Sequence, residues 1–177
     1  IGHVGVFDDS GQIRIGTAGT HSEATINAPL TVNGNATVTT LTIIGGQDIA
    51  EPFTIRPGIA LSPGTVVSID QSGNGELKRA SSAYDRGVAG VISGAGGINT
   101  GRVLKKEGSE GSPVALTGRV FVWSDTDSTG PITPGDLLTT SPVPGHAMRA
   151  TDPARSQGAI LGKAMTKLAE GRGLVLV

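Results

Sequence analysis

The chain has 177 residues, of which 28 are glycine, and its aromatic side chains amount to one Trp, one Tyr and three Phe. Glycine at about twice its usual share, with so few large rings, leaves Thr, Ser, Val and Ala to build thin apolar layers of the kind that neighbouring chains complete. Net charge is −1 from 14 basic and 15 acidic residues spread along the chain, so no basic stripe is present to neutralise phosphates and no acidic tract to collect cations.

Nucleic acid is therefore not an expected partner. No apolar run approaches 18 residues and no charged segment leads into an apolar one, so membrane insertion is not expected either. The absence of cysteine excludes disulfides and thiolate metal sites and leaves the redox compartment open. The chain starts at Ile1 inside an alternating pattern, as expected of a piece of something longer.

Residues 1–45 have a composition of their own. Val4–Phe7 and Gln12–Ile15 flank the turn formers Asp8–Gly11 and read as a hairpin. From Ala24 to Ile44, Leu30, Val32, Ala36, Val38, Leu41 and Ile43 mostly alternate with Thr and Asn, with turns at Asn33-Gly34 and near Thr39-Thr40. Period-two alternation predicts strands with one dry face. So narrow a segment cannot bury that face alone; the economical partner is the same segment from two other chains, which gives a slender β shaft around a threefold axis. Residues 46–52, with Gly46 and Pro52, read as a junction.

From residue 53 to 177 short strands are expected, at Thr65–Asp70, Glu76–Ala80, Val88–Ser93, Val114–Ser124, Asp136–Thr140, His146–Thr151, Ala159–Lys167 and Gly173–Val177. Within them one unit occurs twice, about 71 residues apart. Pro63-Gly64-Thr65-Val66-Val67 runs through Gly75 and Ala80 to Gly87–Ile92, and Pro134-Gly135-Asp136-Leu137-Leu138 runs through Gly145 and Ala150 to Gly158–Gly162. Proline fixes φ and glycine supplies positive φ, so the repeated punctuation predicts the same bent hairpin built twice, over about 63–124 and 134–177. Leu116–Val122 is expected to close the first copy as Glu170–Leu176 closes the second. Gly94–Pro113 then reads as an insertion in the first copy, made mobile by Gly94-Ala95-Gly96-Gly97.

Little in the chain reads as reactive chemistry. Asp125, Asp127 and Asp136 have oxygen spacing like that of a calcium loop, but the final ligand is not Glu, prolines interrupt the run, and strands rather than helices flank it; a polar turn accounts for the same residues. His3, His21 and His146 are isolated, without metal-ligand spacing. Gly94–Gly97 lacks the Gly-Lys-Ser/Thr ending of a phosphate loop. Lysines 78, 105, 106, 163 and 167 stand among many Ser and Thr, yet no Gly-x-Ser-x-Gly elbow occurs. The expectation is a protein that is not an enzyme and needs no cofactor.

The stretch Asp48-Ile49-Ala50-Glu51, then Pro63–Asp70, Leu77-Lys78-Arg79-Ala80 and Val88–Ser93, resembles the C-terminal domains of phage tail-fibre and tail-spike proteins and related bacterial fibres. It is similar in order to the self-cleaving intramolecular chaperones found at some of those C-termini, over roughly residues 46–95. Ile132–Thr139 resembles the β-clip modules of antifreeze-like domains and capsid decoration proteins, which often trimerise. The resemblance implies an all-β homotrimer, a β shaft followed by a duplicated β-clip head, on a virion tail fibre or a bacterial extracellular surface. Its function would be structural: to set chain register and present Gly94–Pro113 and Asp125–Pro134 to a host receptor or glycan. No residue here matches a cleavage nucleophile. The alternatives are a chaperone that cuts itself free near Gly45–Glu51, and a carbohydrate-binding adhesin that would draw on Trp123, Tyr84, Phe7, Phe53 and Phe121.

Overall fold

The computed structural model describes residues 25–27, 29–42, 46–56, 61–104 and 110–177. The hairpin expected between Val4 and Ile15 lies outside the described residues, as do Phe7, His3, His21, Lys105 and Lys106. The chain divides into two units, Ile1–Leu41 and Thr42–Val177.

The described part of the first unit has no strand. Its backbone bends at Asn33-Gly34 and again at Thr39, where turns were expected, but the stretches between them are unpaired and exposed. Within one copy the described residues of Ala24–Ile44 therefore form no strand; the expected strands are ones paired between chains, as a segment this narrow requires.

The second unit is all-β, with two mixed sheets and no closed barrel. Its strands are β1 (Asp48–Phe53), β2 (Val66–Ile69), β3 (Leu77–Arg79), β4 (Val88–Ile92), β5 (Arg102–Val103), β6 (Ser112–Gly118), β7 (Phe121–Asp125), β8 (Leu137–Thr140), β9 (Ala147–Arg149), β10 (Ile160–Lys163) and β11 (Arg172–Leu176). One sheet has the order β3-β2-β4-β6-β1-β5 and the other β10-β8-β9-β7-β11. A one-turn helix, α1 (Pro153–Ser156), follows β9; Asp152 caps it by accepting from the N–H groups of Ala154 and Arg155 at 3.0 and 3.3 Å, and Pro153 opens it.

The duplication holds down to single hydrogen bonds. β2 pairs antiparallel with β3 and β4, as β8 does with β9 and β10. The N–H of Gly64 donates to Ile92 O at 2.7 Å, and that of Gly135 to Ala164 O at 2.8 Å. Ile92 N–H returns to Thr65 O and Ala164 N–H to Asp136 O, both at 2.9 Å. Each copy also carries a bulge at the same place: Ala89 is the extra residue between the Gly90 and Val88 pairings, and Leu161 is the extra residue between those of Gly162 and Ile160.

The equivalent positions do not face one another. Val66 and Val91 point into a core shared with Val122, Leu138, Ala164 and Val175, whereas their equivalents Leu137 and Lys163 are exposed. Conversely, Leu138 and Ala164 enter the shared core, while their equivalents Val67 and Ile92 pack in a separate cluster with Leu77 and Val114, flanked by Phe53, Ile55 and Leu61. The two copies are stacked front to back.

Three expectations are corrected. Residues 46–52 are not a free junction, because Asp48–Pro52 belong to β1, between β6 and β5. The expected single strand Val114–Ser124 is broken after Gly118 (φ +106), where Arg119 N–H turns to Gln47 O, so that β6 and β7 lie in different sheets. Leu116–Val122 therefore does not close the first copy as one strand. Gly94–Pro113 is not simply a mobile excursion: Ala95–Gly97 form a 3-10 turn and Arg102–Val103 pair in parallel with Ile49 and Ala50.

The stacking makes equivalent glycines unequal. Both open a copy at positive φ, +87° at Gly64 and +97° at Gly135. A methyl group at Gly64 would lie 3.0 Å from Trp123 Cδ1 and 3.2 Å from Leu174 Cδ2, whereas at Gly135 it meets nothing within 4 Å. Gly135→Ala is expected to cost the backbone strain alone, about 1–2 kcal/mol, and Gly64→Ala about 1–3 kcal/mol more from overpacking. Urea unfolding measures both, and equal losses would contradict the front-to-back arrangement.

Candidate interaction surface

The chemistry-bearing residues of the second unit are engaged with one another. Asp125 is fully buried at the end of β7. Its Oδ2 accepts from the hydroxyls of Ser128 at 2.5 Å and Ser141 at 2.9 Å, and its Oδ1 accepts from Asp127 N–H at 3.0 Å. Asp136 instead accepts from the N–H and hydroxyl of Thr133 at 2.7 and 3.0 Å. Asp125, Asp127 and Asp136 are not brought together as a cation cage, and no cluster of three or more such groups occurs among the described residues. The Asp125 and Asp136 carboxylates each tighten their own turn. The loop from Asp125 to Pro134 is thereby pinned at both ends, since Ile132 is fully buried and Thr126 nearly so.

A second buried carboxylate escaped the sequence reading. Asp48, at the start of β1, accepts from the Ser93 hydroxyl and from Gly101 N–H at 2.7 Å, and Ser93 Oγ lies 2.8 Å from Thr100 Oγ1. These contacts bind the first-copy insertion to β1, and the backbones of Gly46 and Gly101 approach so closely that neither has room for a side chain. Sequence distance hid the cluster, because the partners are 45 and 53 residues from Asp48. The acidic residue of the Asp48–Glu51 motif thus serves as a clasp.

The four candidate sugar-stacking rings among the described residues do not form one platform. Tyr84 is buried at positive φ, and its hydroxyl accepts from the N–H groups of Thr151 and Asp152 at 2.8 and 2.9 Å. Arg155 lies over the Tyr84 ring, 4.4 Å from its centroid, and donates to Ala83 O at 3.1 Å. Phe53 packs on the outer cluster of the first sheet and Phe121 covers Gly96. Of these four, Trp123 alone presents an exposed ring; its indole N–H donates to Pro63 O at 3.1 Å, and His146 lies 6.2 Å away at a tilt of 48°.

What the described residues leave open is apolar. In the first unit Ile26, Leu30, Val32, Val38 and Leu41 are all exposed, from 50 % at Val32 to 69 % at Leu30. No charged residue interrupts them between Thr25 and Thr42. Covering such side chains is worth roughly 1 kcal/mol or more apiece. A run of large apolar side chains left open in this way suits a contact with another chain.

No family model matches the chain, and no curated protein does.

The Asp125 network gives the fold an acid limit. Burial alone would raise the Asp125 carboxyl, but the hydrogen bonds from Ser128, Ser141 and Asp127 N–H, with the attraction of Arg172, outweigh it and hold the group below its ordinary value. A carboxyl lowered in the folded state stabilises above its unfolded pKa of about 4 and loses that contribution as pH falls below it. Thermal melts from pH 6 to pH 2 are expected to show stability falling below about pH 4. Asp125→Asn should be less stable at pH 6, by about 1–3 kcal/mol for a disrupted buried network, and should lose less on acidification. An unchanged acid slope in the variant would remove Asp125 from this role.

Proposed function

We propose that the chain is a structural and interaction protein, the C-terminal trimerisation and tip region of a phage or bacterial surface fibre, acting on the virion tail or outside the bacterial cell. The carrying observation is the exposed, uncharged apolar series from Ile26 to Leu41, whose even spacing from Ile26 to Val38 suits a strand that lacks its neighbours. Three copies around an axis would cover one another's apolar faces and complete the backbone pairing that a single copy lacks. The duplicated head would hold the three chains in register and display its pinned turns to a host receptor or glycan. No chemical step is assigned to it.

Two features favour an intact chain over the self-cleaving alternative. The segment where a cut was placed runs into β1, which is hydrogen-bonded to β6 on one side and β5 on the other. Asp48 and Ala50 on that strand are buried. A protease site normally offers an exposed, unpaired backbone.

Native mass spectrometry of the 177-residue chain tests the reading. A trimer of full mass is expected at micromolar concentration, and a Leu30→Asp, Val38→Asp double variant should be mostly monomeric with an unchanged thermal transition of the head. A trimer of shortened chains would select the self-cleaving chaperone. A wild-type monomer would overturn both.

A further inference from the structure

The two copies stack closely at the shared core and part at one margin. β4 pairs with β6 only through Val91 with Ala115 and Ile92 with Val114; beyond these, Val88 and Ala89 on β4 and Leu116 and Thr117 on β6 have no ladder contact with each other. Opposite them runs β10, the edge strand of its sheet, which pairs only with β8. The result is a groove of about 460 Å³ between β4, β6 and β10. The equivalent bulge residues Ala89 and Leu161 both line it. Bulges of this kind end strand pairing and re-aim the chain.

The lining has a definite chemistry. Leu116 and Met165 are 46 and 49 % exposed at its walls. Arg119 and Lys163 are the charged residues of the lining, and no Asp or Glu is among them; Val177, the last residue of the chain, also lines it. Neither cation has an ion-pair partner among the described residues. An open strand edge, apolar walls and two cations without an ion-pair partner among the described residues are complementary to one kind of occupant.

We propose that this groove binds an extended peptide segment of a partner protein in which apolar and acidic residues alternate, added as a strand along β10. Main-chain hydrogen bonds to the free edge would supply affinity, and alternate side chains would divide between the apolar walls and the two cations. The four residues of β10 span about 13 Å, so the recognised stretch is about four residues long. The proposal concerns the second unit alone and does not depend on how the first unit assembles.

Fluorescence anisotropy with a labelled, end-blocked Glu-Val-Glu-Val-Glu peptide tests it on the full chain. Saturable binding is expected, weakened at least tenfold by the exposed double substitution Arg119→Glu, Lys163→Glu and by N-methylation of alternate peptide amides. A Lys-Val-Lys-Val-Lys peptide should not bind. Absence of saturable binding, equal binding of the lysine peptide, or indifference to the charge reversal would each overturn the proposal. Unchanged binding of the N-methylated peptide would overturn strand addition, since it would place recognition in the side chains alone. The same double substitution should leave the native mass spectrum unaltered; a fall in assembly number would show that a second copy occupies the groove and would also overturn it.

Discussion

The second unit depends on a single apolar layer that two halves of the chain must share. Neither half carries large side chains: among the most completely buried residues are Ile132, Leu138 and the valines at 66, 67, 91, 122 and 175. A hairpin with so shallow a face is marginal alone, and stacking a second copy against its back converts two weak surfaces into one interior. Small residues at the contact make this possible. Ala80, Ala147 and Ala164 all enter the shared core, letting the sheets approach closely enough for valines to interdigitate.

Polar groups then fix what the apolar layer leaves free. Hydrophobic burial is non-directional and sets no register, whereas the clasp at Asp48, the pinned turn at Asp125 and the Tyr84 hydroxyl each accept from donors of fixed geometry. All three join segments far apart in the chain. Thr140 carries the same logic into the stack, with its carbonyl accepting from Tyr84 N–H at 3.2 Å and its hydroxyl from Asp85 N–H at 2.8 Å. The loop of the first copy is thereby tied to β8 of the second.

Much of the head was legible in the sequence because its signals are local. Pro63-Gly64 and Pro134-Gly135 announce turns wherever they occur, and a strand must follow if the next residues are apolar and β-branched. The strands of both copies fell where these signals placed them, within a residue or two at most ends. β1 was missed because Gly46 and Pro52 read as breakers. Pro52 is tolerated there since β5 reaches only Ile49 and Ala50, leaving that side of the strand open. β5 has two residues and no local signal at all. The calcium-like spacing from Asp125 to Asp136, read in the sequence as a polar turn, is ambiguous for the opposite reason, since a polar turn and an ion loop use the same oxygens and differ only in where distant chain segments point them. The front-to-back stacking is invisible to any window, because equivalent residues such as Val91 and Lys163 acquire opposite surroundings only once the copies meet.

That last pair has a wider meaning. A layer that packs its back on the front of an identical layer has no natural end: a third and a fourth could follow, as in the open-ended growth of solenoids and filaments. The described residues hold two such layers. The back of the second layer carries a lysine where the first carries a buried valine, and a charge at that point would have to be desolvated for another layer to settle. Lys163, beside the exposed Leu137, thus leaves that face of the second layer to solvent where the first layer buries Val91 and Val66.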